Sequence, residues 1–160
     1  MNFPPNFTYQ EMIRSDIAEQ HSIENIPNGR QVRNLIQMAW FLQELKGDLI
    51  KHFGVNVKLY VGSGFRSLKL NSHPKMRGSQ TSYHMDGLAA DITCSHFSPF
   101  ELAQYISTRV DYAGYDKLIN EYGRWVHVNL PRPNLRCVNI TATKVIGETH
   151  YLPEILNVAK

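Results

Sequence analysis

His84, Asp91 and His127 are the residues whose types and spacing could do chemistry. The first two lie in Ser82-Tyr83-His84-Met85-Asp86-Gly87-Leu88-Ala89-Ala90-Asp91, the third in Trp125-Val126-His127-Val128. Two imidazoles and one carboxylate offer a borderline metal such as zinc three protein ligands. The fourth tetrahedral position stays free for water or a substrate oxygen. That is the donor set of a reactive site rather than a closed structural one. Each residue also has an ordinary alternative, since a lone histidine is usually a surface or hydrogen-bonded residue and Asp91 could cap a turn. With seven histidines in the chain, such a trio can arise by chance.

The elements that must position these side chains follow from periodicity and caps. Leu88 to Cys94 alternates, with Ala89, Asp91 and Thr93 on one face and Leu88, Ala90, Ile92 and Cys94 on the other. The stretch from Gly114 to Leu130 reads as two strands joined near Glu121-Tyr122-Gly123-Arg124. In the second, Val126, Val128 and Leu130 oppose Trp125, His127 and Asn129. Asp91 and His127 would thus come from adjacent strands and His84 from the loop leading in, where Gly87, Ala89 and Ala90 permit close backbone approach. Asn56 to Val61 reads as a further strand ending in a turn at Gly62-Ser63-Gly64, and a last strand is expected over 137 to 146. Between Leu68 and Tyr83 the chain is polar with little periodicity, a substrate-side loop.

Helices frame these strands. Thr8-Tyr9-Gln10-Glu11 is a capping box with Phe7 in the staple position, and Ser98-Pro99-Phe100-Glu101 is a second, opening a helix to about residue 109. A longer helix is expected over about 30 to 52. Val32, Leu35, Ile36, Ala39, Leu42, Leu45 and Leu49 form its packing face, and Trp40 and Phe41 are assigned to the core.

At 160 residues and 42% hydrophobic, the chain is expected to be one domain, residues 1–160, with an ordinary core. Its +3 charge, from seventeen basic and fourteen acidic residues, includes no basic run of the kind that marks a nucleic-acid tail. Cys94 and Cys137 form no CxxC pattern and read as semi-buried thiols that need not pair. The start has neither the basic region nor the apolar stretch of a signal peptide, and no segment reaches the length of a membrane span. The expectation is a protein made in the cytoplasm without its own export signal.

Taken together, Ser82-x-His84-x-x-Gly87-x-Ala89-x-Asp91 and Trp125-Val126-His127 resemble the zinc D-Ala-D-Ala carboxypeptidases and related peptidoglycan peptidases, peptidase family M15, especially its short phage-associated members. The resemblance extends to Phe7-Thr8-x-x-Glu11-Met12, Asn25-x-Pro27, Val61-x-Ser63-Gly64-Phe65-Arg66-Ser67-x-x-x-Asn71 and Asp116-x-Leu118-Ile119-x-Glu121-x-Gly123-Arg124-Trp125.

What the resemblance implies is a small α+β domain, mainly antiparallel sheet with flanking helices, of the hedgehog and D-Ala-D-Ala-peptidase type. One zinc ion would be held by His84, Asp91 and His127. Glu121 would be the carboxylate that takes the water proton and delivers it to the leaving amine. In several relatives that base lies three residues before the last ligand, where this chain has Arg124; Glu121 lies six before it. Arg66 would clamp a substrate carboxylate or stabilise an oxyanion, or else brace its loop against an acid such as Asp86. Ser82 would touch substrate or support the site, and Trp125 would wall the cleft or pack in the core. His73 reads as solvent-facing, with His96 and His150 outside the pattern. The implied partner is a peptidoglycan stem peptide, reached through a holin or as part of a virion. A non-catalytic wall-binding or assembly protein of the same fold is the alternative, and a nucleic-acid-binding module a weaker one.

Overall fold

The computed structural model describes residues 2–108, 114–132, 138–145 and 147–158. A capping box at Thr8 opens α1 (Tyr9–Ile13), where Phe7 and Met12, the two staple positions, are both buried. Ser15 caps α2 (Asp16–Gln20), and a capping box at Asn28 opens the long α3 (Gly29–Phe53). Strand β1 (Leu59–Ser63) and short helix α4 (Leu68–Asn71) lead to a 3-10 turn at Tyr83–Asp86, followed by β2 (Ala89–Cys94). Helix α5 (Pro99–Thr108), β3 (Lys117–Glu121), β4 (Trp125–Asn129), β5 (Val138–Val145) and β6 (Glu148–Pro153) complete the order.

The strands form one sheet in the order β1-β2-β4-β3-β5-β6, antiparallel except where β5 runs parallel to β3. This is the expected α+β architecture. One face of the sheet carries Ala90, Ile92, Leu118, Val126 and Val128, packed with Leu35, Leu42 and Leu45 of α3 and Leu102 and Ile106 of α5. Fully burying side chains of this size contributes roughly 1.5–3 kcal/mol each, so the core anchors the strands on one face and frees the other for a site. No described helix is long and apolar enough to cross a membrane.

Several details differ from expectation. Trp40 is not in the core: it is 40% exposed and its indole N–H donates to Asn2 O, while Phe41 is buried. Its neighbours one turn away include Gln37 and Glu44, so it lies on the polar side of α3. The chain from Leu68 to Tyr83 is not a plain loop, because α4 and the following turns occupy it. Strand β1 begins at Leu59 rather than Asn56 and includes Gly62 and Ser63, which were expected in the turn after it, and β6 is an additional strand. Cys94 is half-buried beside the core; Arg109, Cys137 and Ile146 lie outside the described residues.

Candidate metal centre

Strand register builds the site. Asp91 of β2 pairs with His127 of β4 on one side and with Ser63 of β1 on the other, and His127 pairs with Ile119 of β3. Because side chains alternate, Asp91, His127, Trp125 and Glu121 share the face opposite the core. His84 enters from the 3-10 turn, where the Ser82 hydroxyl accepts its backbone N–H at 3.3 Å and Arg66 N–H donates to its carbonyl at 3.2 Å. The turn presses against α3. A Cβ on Gly87, which sits at φ 73°, would lie 2.7 Å from Gln31 O, so that position needs glycine for both conformation and space.

The donor atoms converge. His84 Nε2 is 3.3 Å from His127 Nδ1 and 3.3 Å from Asp91 Oδ1, and His127 Nδ1 is 2.8 Å from Asp91 Oδ1. Ligands about 2.0–2.1 Å from a tetrahedral zinc lie roughly 3.3 Å apart, so the three atoms fit such an ion with a slight opening of the His127–Asp91 pair. Gly64 O takes the Nδ1–H of His84 at 2.6 Å, which fixes the tautomer and turns the Nε2 lone pair inward. Asp91 divides its oxygens: Oδ1 faces the histidines and Oδ2 accepts from Arg66 Nη2 at 2.5 Å. Among the described residues no other group of three such side chains could hold a metal.

The electrostatics favour the ligand form at His84 and Asp91, while His127 without an ion is drawn toward its charged form. Burial pushes the His84 imidazole below its ordinary value, outweighing the attraction of Asp91, and so favours the neutral ligand form. Burial alone would raise Asp91, but the charges and hydrogen bonds of His84 and His127 hold it well below the carboxylate range. Burial also opposes the charged form of His127; its hydrogen bond to Asp91 and that residue's charge outweigh this and raise it. Glu121 is raised by burial and then by the charge of Asp91, against the opposing pull of His127, Trp125 and Arg66.

Around the trio, Arg66 also donates from Nε to Ser63 Oγ at 2.8 Å. Its acid is therefore Asp91 and not Asp86. Trp125 donates its indole N–H to Glu121 Oε2 and packs edge-on against Tyr122, with ring centres 5.8 Å apart. Arg124, three residues before His127, is exposed in the β3–β4 turn, whereas Glu121 is half-buried on the site face. Ser82 caps the turn bearing His84 and so supports the site. Asn71 and Ser67 brace loops, Asn71 by donating to Ser79 O and Ser67 by capping α4. His73 is half-buried against His21, with ring centres 4.5 Å apart, and His96 and His150 are exposed.

Two further residues hold the loops around the site, Asn25 legible in the sequence only as part of the Asn25-x-Pro27 match and Arg132 not at all. Asn25 donates to Ile13 O and Phe65 O and accepts from Ser67 N, tying α1 to the Arg66 loop. Arg132 stacks 3.9 Å over the Tyr83 ring, donates to Asp86 at 2.8 Å and reaches Thr81 O and Ser82 O, clamping the His84 turn.

No curated protein matches the chain. A family model described as Peptidase M15 matches residues 5–129, every element from α1 to β4 and all three convergent donors. With most of its 160 residues inside that match, the chain belongs to the peptidase M15 family.

Proposed function

We propose that this protein is a zinc-dependent peptidase that hydrolyses peptide bonds in peptidoglycan stem peptides. The observation that carries the reading is the convergence of His84 Nε2, Asp91 Oδ1 and His127 Nδ1 on the sheet face that also bears Glu121. Zinc held by these residues supplies Lewis acidity, which polarises a carbonyl and makes water a better nucleophile near neutral pH.

The remaining work falls to the chain's own groups. Glu121 takes the proton from water and returns it to the leaving nitrogen. Its upward-shifted carboxyl suits a group that must both accept and donate near neutral pH. Trp125 fixes that carboxylate through its indole N–H. Arg66 holds Asp91 and keeps further N–H donors for a carbonyl oxygen gaining negative charge or for a substrate carboxylate. Ser82 and Trp125 border the entry and meet the peptide.

The test is incubation of zinc-loaded protein, with E121Q as control, with purified peptidoglycan and soluble stem peptides, followed by mass spectrometry. Release of terminal D-alanine identifies a carboxypeptidase and an internal cut an endopeptidase. Absence of any zinc- and Glu121-dependent product overturns the reading in favour of a non-catalytic wall-binding or assembly protein.

A further inference from the structure

The family match ends at residue 129, the last residue of β4, yet the sheet continues through the β5–β6 hairpin. Register ties that hairpin to the site. Ile140 and Ala142 of β5 pair with Ile119 and Glu121 of β3, and Pro153 and Tyr151 of β6 pair with Ile140 and Ala142. Paired residues point to the same side of a sheet. Two rows therefore run outward from the candidate metal ligands, one from His127 through Ile119 and Ile140 to Pro153, the other from Trp125 through Glu121 and Ala142 to Tyr151.

We propose that the β5–β6 hairpin extends the substrate face of the site, and that Tyr151 contacts the peptide there and seats an uncharged aliphatic residue of it. This rests on the peptidase reading above and names a specificity element for it.

Five observations carry the proposal. The shelf of Ile119, Ile140, Ala142, Tyr151 and Pro153 is uncharged, with Ile119 and Ala142 buried at its floor and Lys117 and Lys144 lying further along the same face. Tyr151 is 62% exposed and Pro153 is exposed as well. An aromatic ring with that exposure offers a large apolar contact and a polar tip at low entropic cost, which suits recognition more than edge protection. Strands lie about 4.8 Å apart, so Tyr151 is rooted about 10 Å from the strand of Glu121, the reach of roughly three residues of extended peptide.

The hairpin is also fixed relative to the catalytic carboxylate. The Tyr122 hydroxyl meets Thr149 Oγ1 of β6 at 3.1 Å, Lys144 Nζ of β5 sits 5.6 Å from the centre of the Tyr122 ring, and that ring packs on Trp125. Tyr122 takes a left-handed φ of 55°, unusual for a residue with a Cβ, and these contacts from the hairpin hold it there. Finally, the Tyr151 hydroxyl is raised by partial burial and then by Tyr122 and Glu121, so it lies within electrostatic range of the carboxylate.

The experiment uses zinc-loaded full-length protein and a soluble stem pentapeptide. Hydrolysis is followed for the native residues, and calorimetric binding is measured in an E121Q background. Y151A and Y151F are compared with Y60A, which removes a tyrosine 52% exposed on β1, at the other edge of the sheet. Y151A is expected to weaken binding and raise KM at least fivefold with zinc content and kcat little changed, while Y151F and Y60A stay within twofold. Replacing the peptide's aliphatic residues singly by aspartate should weaken binding at one position, and that penalty should shrink in Y151A. Hydrolysis with Y151A indistinguishable from Y60A overturns the shelf and leaves the peptidase reading standing. Tyr151-dependent binding without hydrolysis overturns the peptidase reading and retains the shelf as a binding surface. Neither binding nor hydrolysis overturns both.

Discussion

The indole N–H of Trp125 donates to Glu121 across the β3–β4 turn, joining the residue two before a candidate ligand to the carboxylate two after Ile119, the cross-strand partner of that ligand. The bond stabilises the ionised carboxylate and so opposes the rise that burial and Asp91 impose. W125F removes it, and the Glu121 carboxyl then titrates at higher pH. Because a general base works only when ionised, the acidic limb of kcat/KM should move upward, with a loss of about tenfold below it, the worth of one charge-assisted hydrogen bond. Zinc content should not change. A pH–rate profile of W125F superimposable on that of the parent would remove Glu121 from the role of base.

The parts of this site that were legible in the sequence are those set by local pattern. Alternation in 88–94 and 125–130 put Asp91 and His127 on faces away from the core, and both strands formed with that alternation. The capping boxes at Thr8 and Ser98 formed as written. Arg66 was legible as a site residue, but its partner was not: Asp86 is nearer His84 in sequence, whereas strand pairing delivers Asp91. Trp40 was misplaced because its hydrophobicity was weighed without the polar residues one helical turn away. Helix α4 and the 3-10 turn, four residues each, are too short to show a period. Arg132 and Tyr122 act through contacts between distant segments, which no spacing rule encodes.

Arg132 should govern metal affinity without touching the metal. Its guanidinium pairs with Asp86, stacks on Tyr83 and meets two carbonyls of the segment that ends in His84. Without it Asp86 keeps, among the described residues, only the ion pair with Arg30, at 3.8 Å and far more exposed. Supporting residues of this kind typically change metal affinity 10–100-fold. R132A is therefore expected to weaken zinc binding by about tenfold in chelator competition, with R132K recovering part of the loss through its charge but not the stacking. Unchanged affinity in R132A would show that α3 alone fixes the turn.

Gly64 links packing to the site through its own backbone. A Cβ there would lie 2.2 Å from Met12 O, and the Gly64 carbonyl is the acceptor for His84 Nδ1–H. G64A must push β1 and α1 apart, which costs about 1–3 kcal/mol for overpacking, and must also move the carbonyl that orients His84. Loss of both thermal stability and zinc stoichiometry is expected. At Gly62 the nearest atom to a new Cβ is Asp91 O at 3.6 Å, an ordinary contact, so G62A should keep both. Equal behaviour of the two variants in thermal melts and metal analysis would contradict this account.

Metal removal separates a reactive centre from a structural one. The core faces of β2 and β4 are filled by Ala90, Ile92, Val126 and Val128, all fully buried against α3 and α5, and none of that packing involves the ligands. Chelated protein should remain folded, and zinc at a hundredfold excess over its Kd should add about 2.7 kcal/mol. The metal-free form has its own acid sensitivity. Asp91 is held well below the ordinary carboxylate range in the fold, so its contribution is complete above the unfolded value of about 3.9 and is lost as pH falls through the lower folded value. Chelated protein should therefore melt cooperatively at pH 7 and lose the Asp91 contribution only in strong acid, as read by circular dichroism with and without chelator. Unfolding of the chelated protein at neutral pH and room temperature would mean that the trio closes the fold rather than serving a reaction.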